Sequence, residues 1–286
     1  MEKRYTNKET ILTKRGTTME QHLIALDLDG TLLKENKTIS DRTYDVIQQA
    51  KQAGHIVVIA TGRPYRASKM YYEQLDLTTP IVNFNGAFVH HPKDDSWGMY
   101  HTPLQLETVR EIVEVSRKYN VRNILAEVMD DVYFHEHDEQ LLDLFNLGNP
   151  NVYIGNLHDI LRKEPTSILI LSDEQNVEHI RTYLSEVHAN VIDHRSWTAP
   201  WHVIEIVRTG IHKAVGLEKI ASFYGIPRER VIAFGDEDND IEMLKWAGVG
   251  VAMGNAIEPL NAIADDVTKT NEEDGIAIYL QSLLKL

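Results

Sequence analysis

Asp27 and Asp29 close a short apolar run, His22 to Leu26, and are followed at once by Gly30 and Thr31. The run is short and the residues after it stop a strand, which predicts a buried, parallel strand. On extended backbone, residues i and i+2 point to the same side, so the two carboxylates share one space. Like charges that close repel unless a cation holds them or one carries a proton. An Asp-Gly turn that merely closes a strand is the plainer reading. Ile56 to Ala60 repeats the design and ends in Thr61, Gly62, Arg63 and Pro64. A backbone amide at a glycine turn before a helix N-terminus suits an oxyanion, although an ordinary turn capped by Thr61 has the same sequence. A third run, Val231 to Phe234, stops at Gly235 and Asp236, with Asn239 and Asp240 close behind. If the strands bearing Asp27 and Asp236 are neighbours, three or four carboxyl groups meet at one sheet edge. Hard oxygen donors without histidine or cysteine suit Mg²⁺, which keeps waters and commonly pairs with a phosphate. An exposed acidic loop is the alternative. Lys213 opens a predicted helix, where the dipole disfavours a cation. It makes better sense facing an anion or a carboxylate.

The elements that must position these groups alternate. Ser40 is a candidate N-cap for a helix carrying Tyr44, Ile47 and Ala50 in register and ending at Gly54. A helix from about Tyr65 to Leu75 and a strand from Ile81 to Phe84 complete β-α-β-α-β, a doubly wound parallel sheet. In such sheets ligands bind at the carboxyl ends of the strands. After Asn85 and Gly86 the texture changes. A hairpin (Ala87 to His91, Trp97 to His101), helices near Gln105–Tyr119 and Asn176–Val187, and strands at Asn123–Val128, Thr166–Leu171 and Asn190–His194 mix without strict alternation. That mixture predicts a separate α+β module. Its expected span is residues 88–200, inserted between core segments 19–87 and 201–286, with Pro200 and Trp201 at the return. The strand Val203–Val207 is expected to reopen the core, followed by a helix from Lys213 to Tyr224. Residues 1–18 are polar and without period, and are expected to be a disordered arm; Met19 stands as an alternative start.

Bulk composition narrows the function. The formal net charge of −14 argues against non-specific binding to nucleic acid or an anionic membrane. An anionic small substrate stays compatible, because a bound divalent cation inverts the local field. With no cysteine, thiolate catalysis and zinc–sulfur sites are out. No apolar run reaches membrane-span length and no secretory signal opens the chain, so the cytoplasm is the expected compartment. The oligomeric state is not legible.

Taken together, Asp27-Leu28-Asp29-Gly30-Thr31, Ala60-Thr61-Gly62-Arg63, Lys213 and Gly235-Asp236-x-x-Asn239-Asp240, in that order around one insert, resemble the haloacid dehalogenase-like phosphatases, specifically the Cof-type branch with a C2-type α+β cap. The resemblance covers essentially everything after residue 18. It departs at Glu237, where the branch usually has a small residue. The resemblance implies a Rossmann-like core and an Mg²⁺-dependent phosphomonoester hydrolase acting on small phosphorylated metabolites, such as sugar or cofactor phosphates. It also implies roles. Asp27 is the nucleophile that forms an aspartyl-phosphate, and Asp29 is the general acid, then base. The metal is held by Asp27, the Asp29 carbonyl and Asp236. Phosphoryl oxygens are bound by the Leu28 amide, Thr61, Gly62, Lys213 and Asn239, with Asp240 orienting Lys213 or a metal-bound water. Arg63 and Asn85 near the hinge, and Glu127, His135, His137 and Trp197 in the cap, are candidate specificity residues. A phosphomutase uses the same intermediate, but the family's mutases usually carry a smaller helical cap after the first motif. A phospho-accepting or ligand-sensing regulatory protein would need no acid at Asp29.

Overall fold

The computed structural model describes residues 20–119, 121–188, 190–197 and 202–286, with the side chains of residues 117 and 195–197 left aside. The expected N-terminal arm, the Met19 start and the Pro200–Trp201 return lie outside the described residues.

Strand β1 (Leu23–Leu26) is the middle of a five-stranded parallel sheet. It pairs with β2 (Ile56–Ile59) on one side and, across the crossover, with a strand over Val231–Gly235 on the other. Every residue of β1 is fully buried, because helices cover both faces. Ile24 and Leu26 pack with Val46 and Ile47 of α1 (Asp41–Gln52), Tyr71 and Tyr72 of α2 (Tyr65–Gln74), and the C-terminal helix. Leu23 and Ala25 face the other way, onto the helices that come after residue 212. The period-2 alternation of a central strand thus feeds two helical layers, and the doubly wound core stands.

The third expected parallel strand behaves differently. Among the described residues, β3 (Ile81–Asn83) pairs with the parallel sheet by a bridge from Val82 to Ala60. It builds a separate antiparallel three-stranded sheet with β4 (Phe88–His90) and β5 (Met99–His101). The hairpin expected to open the insert therefore hangs on the core.

The α+β module comes next, with α3 (Leu106–Ser116), β6 (Asn123–Val128), β7 (Asp131–Phe134), α4 (Glu139–Phe145), β8 (Val152–Ile154), α5 (Leu157–Ile160), β9 (Ser167–Leu171), α6 (Glu174–Val187), β10 (Ile192–Trp197) and β11 (Val203–Arg208). Its sheet runs β10-β11-β9-β6-β7-β8. Contrary to the expectation that it reopens the core, β11 pairs antiparallel with β9 and β10. An apolar run of that kind has the same composition in either sheet, so only pairing distinguishes them. Helices α3 and α6 cover one face, while α4 packs on the other against Leu125, Leu169 and Val203. Glu127 and Glu205 share that second face, being two residues on from Leu125 and Val203.

The core resumes with α7 (Lys213–Tyr224), β12 (Val231–Gly235), α8 (Ile241–Trp246), β13 (Val249–Ala252), α9 (Glu258–Asn261), β14 (Asp266–Val267) and α10 (Gly275–Leu284). Parallel sheet order is β14-β13-β12-β1-β2, which makes the Asp27 and Asp236 strands neighbours, the condition for their carboxyl groups to meet. No helix among the described residues is long and apolar enough to cross a membrane.

Candidate active site

The carboxyl ends of β1 and β12 carry a buried charge cluster. The Lys213 Nζ lies 2.6 Å from Asp27 Oδ1 and 2.7 Å from Asp240 Oδ1, with its side chain wholly shielded from solvent. Asp240 also fastens the turn it ends: its second oxygen accepts from the amides of Asp236 (3.0 Å) and Glu237 (3.2 Å). Gly235 has to be glycine here, since a Cβ at that position would run into the Asp240 side chain. Across from it, the Thr31 hydroxyl donates to Asp236 Oδ1 at 2.7 Å. Gly30 makes that approach feasible. Its φ is +75° and any Cβ would collide with the Asp236 carboxylate.

Asp29 points elsewhere. Arg63 grips it with two guanidinium nitrogens, Nε to Oδ2 and Nη2 to Oδ1, both at 2.6 Å, and Lys37 Nζ lies 2.7 Å from Oδ1. Arg63 in turn comes from the Thr61-Gly62 turn, where the Thr61 hydroxyl accepts from the Arg63 amide at 3.1 Å. Behind Gly62 sits the side-chain amide of Asn85; a Cβ on Gly62 would lie 3.2 Å from its oxygen. That oxygen accepts from Asn239 Nδ2 at 3.0 Å. Asn85 is delivered by an unusual turn in which Phe84 (φ 49°), Asn85 (φ 53°) and Gly86 (φ 102°) are all left-handed. For a phenylalanine that conformation is strained, and strain of this kind gathers at functional sites.

A cavity of about 550 Å³ opens above Asp27, Asp29, Thr61, Gly62, Arg63, Asn85 and Asn239. Lys213, Asp236 and Asp240 are not in its wall; they lie beneath, through Asp27 and the β12 turn. Leu28 belongs to the hydrophobic core by its side chain, so only its amide bears on the expected phosphate role. Glu127 lines the cavity, as does Glu237, the residue that departs from the branch pattern. His135 does not: it is buried in the cap, where its ring accepts from the Leu157 amide at 3.2 Å. His137 is exposed and outside the cavity wall. The side chain of Trp197 is outside the described residues. Sequence reading missed Lys37, Arg66, Glu205 and an apolar trio, Leu144, Phe145 and Leu147, all in the wall. Glu205 carried a usable signal, a charge in the middle of the otherwise apolar Val203–Val207.

The cluster is electrostatically unbalanced. Burial raises the Asp27 carboxyl well above the ordinary range, with Asp240 and Asp236 adding to the effect against the pull of Lys213. Burial also raises Asp236, to about 7, although the Thr31 hydrogen bond opposes it. Burial works against the Lys213 ammonium too, but Asp240 and Asp27 outweigh it and hold the proton. Asp29 is the opposite case. Burial would raise it, yet Arg63 first and Lys37 second bring it down to about 2. One lysine thus faces three buried carboxylates, and oxygens of Asp27, Asp236 and Asp240 lie within 4.8 Å of one another. All-oxygen donors with surplus negative charge fit a hard divalent cation.

Residues 24–280 match the haloacid dehalogenase-like hydrolase family. The chain belongs to that family. It is 62% identical over 265 residues to a 5-amino-6-(5-phospho-D-ribitylamino)uracil phosphatase of Bacillus subtilis, spanning 93% of this chain and 98% of that one. A second Bacillus subtilis phosphatase of the same description is 31% identical, over 89% of this chain and 92% of the relative. Among solved structures, a haloacid dehalogenase-like hydrolase from Bacteroides thetaiotaomicron superposes with a TM-score of 0.79 at 30% identity, covering 92% of this chain and all of that one. Family membership and these phosphatase relatives make the chain an enzyme, a haloacid dehalogenase-type phosphomonoester hydrolase.

Proposed function

We propose that this enzyme is an Mg²⁺-dependent phosphatase whose substrate is 5-amino-6-(5-phospho-D-ribitylamino)uracil or a close structural analogue. The observation that carries the reading is the buried Asp27–Lys213–Asp240 array with Asp236 beside it, under a cavity sized for a metabolite. Its extension to this substrate rests on the 62% identical relative. The same relative's description favours hydrolysis over phosphoryl transfer to a second hydroxyl.

Asp27 would attack phosphorus, forming an acyl-phosphate bond while the bond from phosphorus to the leaving alkoxide breaks. Lys213 holds that carboxylate in place and sets positive charge next to the phosphoryl group. Thr61, the Gly62 amide and Asn239 present further donors at the cavity floor. Asp29 would protonate the leaving oxygen, then take a proton from the water that cleaves the acyl-phosphate and frees Asp27. With Arg63 and Lys37 on it, Asp29 is ionised. That form serves the second step; for the first, Arg63 must loosen its grip so that Asp29 can take up a proton. Asp27, Asp236 and the Asp29 carbonyl would hold Mg²⁺, which offsets repulsion between carboxylate and phosphate. The separate β3-β4-β5 sheet and the pairing of β11 inside the cap sheet favour an insert running from near residue 102 to near 209 as the specificity module.

Phosphate release from the ribitylaminouracil phosphate, with Mg²⁺ and with EDTA, tests the reading in wild type and Asp27→Asn. Metal-dependent release that the substitution abolishes is expected. Release that survives Asp27→Asn sinks the mechanism, and release only from unrelated phosphomonoesters sinks the substrate.

A further inference from the structure

The cavity wall opposite the phosphate floor is apolar on its cap side. Leu144, Phe145 and Leu147 line it, and Leu144 and Leu147 leave 40% and 49% of their surface exposed. Three large apolar side chains at the mouth of one cavity form a patch, which marks a binding surface more often than scattered single exposures do. Phe145 is braced from behind. Its ring meets Phe134 of the cap core edge-on, with centroids 6.2 Å apart and planes at 84°. The segment beyond is clamped to the core: Gly148 (φ +83°) and Asn149 (φ 53°) turn left-handed, and a Cβ on Gly148 would strike the backbone oxygen of Arg66. The apolar edge is therefore seated over the helix that begins just after Arg63. Glu205, on the α4-bearing face of the cap sheet, lines the same cavity. An aromatic ring and a carboxylate in the wall of one cavity suit a flat group with a π-face and N–H donors on its edge. The volume, about 550 Å³, is that of a whole metabolite site and far more than a phosphate alone needs.

We propose that Leu144, Phe145 and Leu147 form the face that binds a planar nitrogen heterocycle on the leaving group, with Glu205 accepting from its N–H groups. The proposal rests on the phosphatase reading for the position of the phosphate end at Asp27. It is independent of which heterocyclic phosphate is the natural substrate.

The test compares kcat/KM of the full-length Mg²⁺-loaded enzyme on three probes: the ribitylaminouracil phosphate, pyridoxal 5′-phosphate, and ribitol 5-phosphate, which has no ring. Wild type should favour a ring-bearing probe. Phe145→Ala should cut the ratio of ring-bearing to ring-free kcat/KM about tenfold, the size of one lost base–aromatic stack. Leu147→Ser, at a half-exposed position where a substitution should change stability little, should lower the same ratio and decides the matter if Phe145→Ala does not fold. Ratios within about twofold of wild type in both folded variants overturn the ring face, as does a wild-type preference for ribitol 5-phosphate; a twofold change is below the energy of a single stack. A preference for pyridoxal 5′-phosphate that still collapses in the variants supports the ring face while removing the substrate named above. If no probe turns over, calorimetric binding of the unphosphorylated ribitylaminouracil decides: weaker binding to Leu147→Ser supports the ring face, and equal binding overturns it.

Discussion

Asp27 and Asp29 are two residues apart and occupy opposite electrostatic worlds. Asp27 is buried against Lys213, whereas the Asp29 side chain is 42% exposed and held by Arg63 and Lys37. Their substitutions should therefore separate chemistry from stability. Asp29→Asn removes an acid–base group, so kcat should fall about 100-fold or more. Its ion pairs are exposed enough that stability should move by no more than about 0.5 kcal/mol; steady-state kinetics beside urea unfolding checks both. Lys213→Met does the reverse damage. It leaves two buried carboxylates without their cation, which should cost about 3 kcal/mol in urea unfolding with EDTA present, with activity lost as well. Asp27, Asp29 and Asp236 stood out in the sequence because each closely follows an apolar run, where a charge has no structural excuse, and Lys213 because it opens a helix whose dipole disfavours a cation. Lys37 was not, since it lies in an ordinary polar stretch and acquires meaning only when the chain folds it onto Asp29.

At the scale of elements, a buried ion pair joins cap to core. Arg66 of α2 lies 2.5 Å from Glu127 of β6, both side chains under one-tenth exposed, and the Arg66 amide donates to Asp130 at 2.8 Å. Ser167 donates to the other Glu127 oxygen at 3.1 Å, so the carboxylate is also held from the cap side. Glu127→Ala should leave Arg66 without its counter-charge while the cap is closed, and opening lets water reach it. The equilibrium should shift toward open forms, seen as a larger radius of gyration by small-angle scattering and a KM raised about tenfold. An unchanged radius and KM would deny the pair that role. Core elements are visible in the sequence because β1, β2 and β12 are central strands with near-uniform burial, and α1 and α7 have clear starts and stops. β11 and the β4–β5 hairpin belong to other sheets than their sequence suggests because an apolar strand carries no mark of which sheet it joins: β11 pairs with the preceding β10, and β4 with its neighbours β3 and β5. The short β8 is an apolar Val-Tyr-Ile run whose three side chains are all exposed, so its composition suggests a burial that the fold does not give it.

For the whole molecule, the cluster of buried carboxylates links folding, protons and metal. The folded-state value of Asp236, about 7, lies above the 3.8 of an unperturbed aspartate. Between those values the folded, metal-free chain holds a proton that the unfolded chain has released. Stability without metal should therefore fall as pH rises from about 4 to 7, then level off, so far as this group governs it. A divalent cation must displace that proton, so Mg²⁺ affinity should rise with pH up to about 7. The increase in melting temperature on adding Mg²⁺ should accordingly be larger at pH 8 than at pH 6. A stabilisation independent of pH would detach Asp236 from the metal. The doubly wound core with its inserted α+β cap was legible in the chain itself, since βαβ alternation and its interruption are local patterns. How the cap's apolar edge closes the cavity did not, because Leu144, Phe145 and Leu147 look like the end of any amphipathic helix until Gly148 is seen resting on Arg66.

The mechanism stands on Asp27 carrying the phosphoryl group between two half-reactions. Rapid acid quench of a single turnover, followed by peptide mass spectrometry, measures that directly. A transient phosphoryl adduct on the peptide holding Asp27, formed in wild type, accumulating in Asp29→Asn relative to turnover and absent from Asp27→Asn, is the predicted result. Full phosphate release with no adduct on that peptide at any time point, or an adduct that persists in Asp27→Asn, would contradict it.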